Sequence, residues 1–541
     1  MRDTVEHRGL DRRAFLKYTG LIGAAGAVTA GVAACGGPKS SGSVAGNAAA
    51  MDHIDVAIGY NNNSSWDPLN TGSAFAMAAH NHIYEGLWDA EAVTRNPYAA
   101  LASEMPADPK SSEWTVKLRS GATFHDGKPV TADDVVFSFG RVLNTDKKVL
   151  TNAFFASWLN GVSKVDDSTV KISMKFPFAA AVQRFSIVKI MPKHVFDAQD
   201  GDFLKQGKNA VGSGPFKVKS HQDTSFTAFE SHAGYNGALK PTFKSMQWNV
   251  SVDAAARVGL LTSGVAGVQI SDNIPQDNID QLKGKGLNVE GVDSMNLLGL
   301  VFNTNKAPFN DKRVRQALRM AIDTQKLIDV AIAGQGTPAT SFLHKASPEY
   351  YKAATQYDYN PEKAKQLLAQ AGVKDLAVTL LSTNISWTKV AVNTIKEGWD
   401  AVGVATTLDI QETAAFNSKV AAGEPVDALT FSGNPNQFGA DADLNIRWFY
   451  SNSNTFLPWN KWGETAEFKA LDAQLNAAIQ ASNPAEHKAK TNAALDTIAD
   501  EAVIYPVMHM KLFTAWDPKK VNGVKALDIP GVNLLKATRT A

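Results

Sequence analysis

A change of rhythm at Leu297 constrains this chain more than any other feature of its sequence. Downstream of it, helical and strand periods alternate. "LLGLVFNTN" (Leu297–Asn305) is a continuous apolar run, as in a strand covered on both faces. "NPEKAKQLLAQAG" carries Asn360 as N-cap and Pro361 at the first helical position. It turns Ala364, Leu367, Leu368 and Ala371 inward and closes at Gly372. "LAVTLL", "VATTLDI", "VDALTFSG" and "AVIYPVMH" read as strands, with helices at "WTKVAVNTIKEGWDAVG", near 465–481 and at 484–501. Such alternation specifies an α/β fold with at least one mixed or parallel sheet. No internal repeat of fixed period runs through it.

Upstream of Leu297 the elements are shorter. "DVAIGYN" (Asp55–Asn61) and "EWTVKLR" read as strands. "VSKVDDSTVKISMKF" reads as a hairpin in which Val170, Ile172, Met174 and Phe176 alternate with polar residues. "VGSGPFKV" and "FTAFES" supply further strands and "DAAARVGLLTSG" a helix. In "AFAMAAHNHIYEGLW", Phe75, Ala79, Ile83 and Leu87 mark one helical face. The stretch "TFHDGKPVTADDVVFSF" invites an active-site reading, because His125, Asp126, Asp133 and Asp134 crowd together. Its spacing describes scaffold instead. Asp126-Gly127 accepts the positive φ of a tight turn, Thr131 is an N-cap, and Asp134 three residues on completes a capping box. Val135, Phe139 and Val142 then recur at helical spacing.

The first 35 residues stand apart from this fold. "MRDTVEHRGLDRRAFLK" carries five Lys/Arg against three Asp/Glu, and Tyr18–Cys35 carries no charge. That is the basic n-region and apolar h-region of an export signal. Arg12-Arg13 ahead of "AFLK" resembles the twin-arginine type, with Asp11 where a Ser or Thr is usual. Four glycines weaken the apolar span as a permanent membrane helix. "VAAC" followed by "GG" resembles a lipobox, in which Cys35 becomes the lipid-modified first residue of the mature protein. Cys35 is also the only cysteine, so the exported chain has no disulfide to form. Residues 36–52 read as a flexible tether of small and polar residues.

The remainder is long enough for two to four domains at about 150 residues each. Net charge is +1, from 54 basic and 53 acidic residues with no long block of one sign. That argues against nucleic acid and against an electrostatic membrane footprint. The chain has no Gly-x-Ser-x-Gly, no Gly-x-x-x-x-Gly-Lys-Ser/Thr, no His-Glu-x-x-His and no Cys-x-x-Cys. "GQGTPA" at Gly334 mimics a dinucleotide fingerprint, but it follows a helix and meets Pro338. His80 and His82, two apart on a helix, point to different faces and make a poor metal pair. Neither an enzyme nor a cofactor or resident metal is expected.

Four ordered blocks carry a resemblance. They are "NPYAALASEM…EWTVKLRSGATFHDGKPVTADDVVFSFGRVL", "VGSGPFKV…GYNGALKPTFKSMQW…DAAARVGLLTSG", "GLVFNTNKAPFNDKRVRQALRMAIDTQKLI…GQGTPA" and "YDYNPEKAKQLLAQAG". Together they resemble the family 5 extracellular solute-binding proteins, the oligopeptide, dipeptide and nickel type receptors of ABC importers. The resemblance implies an α/β, two-lobed fold of the type II periplasmic-binding-protein kind, with an enlarged first lobe and a hinge of two chain crossings. Lobe 1 is expected over 53–294, completed by 503–541, and lobe 2 over 296–500, with crossings at "MNLLGLVFNTN" and "DEAVIYPVMH". It further implies a monomer, lipid-anchored at the outer face of the bacterial cytoplasmic membrane. Such a protein captures a solute by closing its lobes and passes it to the importer's permease subunits.

Residues and resemblance together select candidate ligand contacts. Asn61 and Trp66 lie on the loop after the first strand, where a polar loop over a buried tryptophan is the competing reading. Tyr84 resembles a family position at the cleft, against a core tyrosine. Ser213 offers a hydroxyl between glycines that permit close approach. Asn303 sits at a predicted crossing, and Trp387 is a candidate aromatic wall.

The most informative stretch is "FSGNPNQFGADADLNIRWFY". Peptide-binding relatives carry Gly-Trp here, then an aspartate for the peptide's α-amino group, then Asp-Pro. This chain has Ser-Gly where the tryptophan is expected, and Asn434 and Asn436 around the place of the aspartate. Asp441 and Asp443 stand in for the later acidic positions. A neutral amide cannot give an ammonium the charge-assisted bond of a carboxylate. Arg447 and Trp448 are candidates to hold a carboxylate and to stack on an apolar group. Peptides lead among the ligands, with oligosaccharides, opine-like compounds and nickel chelates behind them. A sensory or structural lipoprotein of the same fold is the rival outside transport.

Overall fold

The computed structural model describes residues 52–61, 65–146, 149–198, 210–222, 224–263, 267–451 and 456–540. The expected export signal, Cys35 and the tether up to residue 51 lie outside them.

Two large sheets carry the architecture. The first has seven strands in the order Asn288–Val292, Leu512–Trp516, Val268–Ser271, His53–Ile58, Ser245–Val250, Phe226–Ser231 and Phe216–Gln222. His53–Ile58 runs parallel to both its neighbours, whereas Leu512–Trp516 enters antiparallel from the far end of the chain. A third, three-stranded antiparallel sheet enlarges this lobe: Glu113–Lys117, Thr169–Met174 and Leu159–Asp166. Its alternation holds in space, with Trp114, Val116, Val170, Ile172 and Met174 turned inward. They meet Val135, Phe139 and Val142 of the helix Ala132–Leu143 around Trp158 and Phe185.

The second sheet is mixed, in the order Gly336–Pro338, Ile504–Met510, Leu297–Phe302, Ala428–Gly433, Ala377–Thr383 and Ala405–Gln411. Leu297–Phe302 lies between antiparallel neighbours and is buried at every position. Leu298, Leu300 and Phe302 face one core, Leu297 and Val301 the other. Helices cover both faces, which is why this strand is apolar throughout instead of alternating.

The lobes are joined by two chain crossings, at residues 293–296 and at Lys511. They are tied side by side, the Met510 N–H donating to the Asn296 carbonyl at 2.7 Å. The return crossing lies later than the boundary at 503 expected from sequence. Ile504–Met510 pairs with strands of the second sheet on both sides, so the chain leaves that lobe only where the pairing ends.

Two local expectations also shift. The helix Ala74–Ile83 stops before Tyr84, whose backbone is extended, so Leu87 is not on it. Gly212–Pro215 lies ahead of the strand, which begins at Phe216. The loop is pressed against the end of that helix: a Cβ on Gly212 would lie 2.1 Å from the Ile83 carbonyl oxygen. The His125 segment is scaffold. His125 accepts from the Gly212 N–H at 3.2 Å and bonds the Gly214 carbonyl at 3.1 Å, and Gly127 takes a φ of 87° in the turn. Asp134 accepts from the Thr131 N–H at 2.9 Å and from the Lys193 N–H at 2.9 Å.

Candidate functional site

A cavity of about 100 Å³ lies between the lobes. The first lobe walls it with Met77, Ala78, His80 and Asn81 on one helix, with Asp89, Arg95 and Tyr98, and with Gln183 and Lys189 of the enlarged part. The C-terminal segment adds Leu527, Ile529, Val532 and Asn533, and the second lobe adds Gln437, Phe438 and Gly439. The surface is mixed, with apolar patches between convergent amides and charges, as a site for a polar organic solute requires. Lys189 meets Asp89 at 2.5 Å and Arg95 pairs with Asp528, so the lining charges come in matched couples. His80 is buried beside them, and its pKa is pushed down to about 3 by burial and by the Lys189 charge.

The second lobe reaches the first through the segment that sequence singled out. Asn434 caps the short helix Pro435–Phe438 by accepting from the Asn436 N–H. It also donates to Ser294 Oγ in the crossing at 2.9 Å and, across the cleft, to the Asp528 carbonyl at 2.6 Å. Asn436 donates to the Asp528 carboxylate at 2.9 Å. Phe438 packs on Phe154 of the first lobe, 5.2 Å between ring centroids, and is backed by Trp448 at 4.4 Å. Arg184, fully buried, crosses to Asp441 at 2.5 Å and to Asp443 at 2.9 Å. Burial pushes the Asp441 carboxyl up against the pull of Arg184. Asp443, equally enclosed, is held below the usual range because Arg447 and Arg184 both face it.

None of the residues chosen from sequence lines the cavity. Trp66 is 2% exposed, edge-on to Phe75 and His221, and Tyr84 is 1% exposed in the same core. Ser213 is buried where the Gly214 N–H bonds the Ile83 carbonyl at 2.8 Å, so its glycines serve chain packing. Asn303 donates to the Val426 carbonyl at 3.0 Å and accepts from the Asn305 N–H, closing a turn. Trp387 packs half-buried on the second lobe's helical core. Asn61 is half-buried beyond the first strand. Arg447 bonds Asp443 at 2.7 Å, and Asp472 and Asn476 at 2.9 Å, which engages each of its three nitrogens. Asp441 holds Arg184, and Asn434, Asn436 and Trp448 hold or back the lobe contact.

The residues that do line the cavity gave little signal in sequence. Gln437–Gly439 sit inside the same segment, between the candidates Asn436 and Asp441. In sequence His80 offers only a poor metal ligand. Its helix neighbour His82 is core, its Nδ1 bonding the Ala78 carbonyl at 2.9 Å and its Nε2 accepting from the Leu534 N–H at 3.1 Å. Among the described residues no cluster of three or more His, Cys, Asp or Glu is placed to hold a metal ion.

Comparison with known proteins supplies the frame. The glutathione-binding protein GsiB of Salmonella typhimurium is 27% identical over 482 residues, which cover 86% of this chain and 91% of GsiB. Heme-binding protein A of Haemophilus influenzae is 27% identical over 480 residues, 82% of this chain and 84% of the relative. In fold, the chain matches the dipeptide-binding protein of a Pseudoalteromonas species, solved in complex with Met-Leu. The TM-score is 0.77 at 19% identity, over 90% of this chain and 100% of that one. The profile described as bacterial extracellular solute-binding proteins, family 5 Middle, matches residues 96–456. A two-lobed α/β fold of the type II periplasmic-binding-protein kind, a cavity walled by both lobes and a profile match over more than half the sequence lead to one conclusion: the chain belongs to the family 5 bacterial extracellular solute-binding proteins, the solute-capturing components of ABC importers.

Proposed function

We propose that this protein captures a small peptide between its lobes and delivers it to the permease of an ABC importer. The observation that carries the reading is the cavity itself, whose walls come from both lobes. A solute bound there touches both, and so favours the closed arrangement by its differential affinity for it. A peptide suits the lining, because its amides match Asn81, Gln183, Gln437 and Asn533 while its side chains match Met77, Phe438 and Ile529. The names of the relatives, which bind glutathione and Met-Leu, support the same class. Lobe 1 and lobe 2 move as bodies about residues 293–296 and Lys511. The mature protein is a monomer, exported by the twin-arginine signal and held at the membrane by lipid on Cys35. A Cys35→Ser chain is then expected in the medium or periplasmic fraction instead of the membrane fraction.

Thermal unfolding of the protein against di- and tripeptides, oligosaccharides and nickel–histidine tests the cargo. At a hundred times its dissociation constant a ligand adds about 2.7 kcal/mol, an upward shift of the melting curve by a few degrees. Shifts with peptides support the reading. A shift only with sugars or chelates keeps the capture mechanism and replaces the cargo.

A further inference from the structure

On the helix Ala74–Ile83 only Ala74, Met77 and Asn81 are half-buried, and the rest are buried. Their spacing, i, i+3 and i+7, is one stripe of a helix. Met77 and Asn81, one turn apart on that stripe, line the cavity. The Asn81 carboxamide makes no hydrogen bond within the described residues. Its polar atoms are not enclosed, unlike Nε2 of His80 beside it.

The opposite wall repeats this chemistry. Among the described residues, Gln437 brings the one polar side chain that the second lobe gives to the lining. It is half-buried between the buried Asn436 and Phe438, and its carboxamide too has no partner within the described residues. The charged groups of the lining are paired, Lys189 with Asp89 and Arg95 with Asp528. Each wall thus leaves open a neutral carboxamide, an acceptor and a donor side by side. An interior residue of an extended peptide offers the mate, because its N–H and C=O point to the same side, as in a strand pair. Chain ends do not, since an ammonium only donates and a carboxylate only accepts.

We infer that Asn81 is a specificity-determining contact that grips the main chain of an interior ligand residue. Its Oδ1 accepts that residue's N–H and its Nδ2 donates to that residue's carbonyl, with Met77 beside it for an apolar side chain. This rests on the peptide reading above and narrows the substrate class to peptides of three or more residues, read through the main chain. The test is calorimetric titration of the full chain with Ala-Ala-Leu and with the same tripeptide N-methylated at its central residue. Both titrations are repeated on Asn81→Leu and Asn81→Asp. Methylation removes one ligand donor and is expected to weaken binding to the unaltered protein about tenfold. Asn81→Leu should weaken the unmethylated tripeptide about tenfold and leave little further penalty for methylation. Asn81→Asp keeps the acceptor and should keep the methylation penalty. The same penalty in Asn81→Leu as in the unaltered protein, or undiminished binding of Ala-Ala-Leu by Asn81→Leu, overturns the inference and leaves the peptide reading standing. Failure of Ala-Ala-Leu to bind while other peptides shift the melting curve does the same. If no peptide shifts the curve, the peptide reading falls and the inference with it. Should Asn81→Leu fail to fold, loss of the methylation penalty in Asn81→Asp, or none in the unaltered protein, overturns the inference.

Discussion

Arg184 shows how much one side chain can decide. It is fully buried, bonds the Phe154 carbonyl at 3.1 Å and lies 4.7 Å over the Phe178 ring, all within its own lobe. Its remaining donors reach Asp441 and Asp443 of the other lobe. Removing one member of a buried ion cluster costs about 3–5 kcal/mol, because the charges left behind are uncompensated. Here the molecule has an escape, since opening the cleft returns both carboxylates to water. Arg184→Met is therefore expected to enlarge the radius of gyration of the ligand-free protein in X-ray scattering. Asp441→Asn with Asp443→Asn in the same chain should bring it back in part. An unchanged radius in Arg184→Met would mean that the cluster does not hold the lobes together. Gly212 is a second decisive residue. A Cβ there collides with backbone, which cannot give way, so Gly212→Ala should lower the melting temperature by several degrees.

Among the elements, the helix Ala132–Leu143 was legible down to its capping residues, because a capping box is a local device. Thr131 and Asp134 need only each other and the intervening turn. Asp134 has acquired one tertiary duty besides, the Lys193 N–H. Thr131→Ala should cost about 1 kcal/mol, the worth of a cap, and Asp134→Ala more, since it also orphans a backbone donor. Urea unfolding measures both, and equal costs would show the Lys193 bond to be immaterial. The alternation of Thr169–Met174 and the apolar run of Leu297–Phe302 were legible for the same reason. Each pattern reports directly how many faces of the strand are covered. The end of the helix at Ile83 was not, because it is set by Gly212 and Gly214 pressing on its last turn from more than a hundred residues away.

The whole molecule has a pH optimum written into its histidines. His80, His82 and His509 are buried and held at about 3, 4 and 3 by desolvation, whereas the unfolded chain protonates them near 6.5. Below that value the unfolded state binds more protons. Stability is therefore lost as pH falls from about 6.5, by about 1.4 kcal/mol per pH unit for each ring. His487 works in the opposite direction. Its bond to Glu349 at 2.6 Å raises it to about 9 despite partial burial, so its contribution is complete below about 6.5 and lost as pH rises through 9. Melting temperatures across pH 4–10 should rise to a maximum near neutrality and then decline. His487→Gln is expected to remove the alkaline decline and leave the acid limb. A variant with an unaltered alkaline limb would exclude this pair as its cause.

By itself the sequence determined the elements, their α/β alternation, the scaffold role of the His125 segment and, through four ordered blocks, the family. Those features depend on periodicity and short-range bonding, which neighbouring residues carry between them. Only the tertiary structure decided which polar residues face the cavity. Asp441 and Arg447 have the chemistry of ligand anchors, yet Arg184, Asp443 and Asp472 claim them first. His80 has the chemistry of any core histidine, yet with Met77, Ala78 and Asn81 of its helix it borders the cavity. A side chain's availability is set by what the rest of the chain fails to satisfy, and no local stretch of sequence records that.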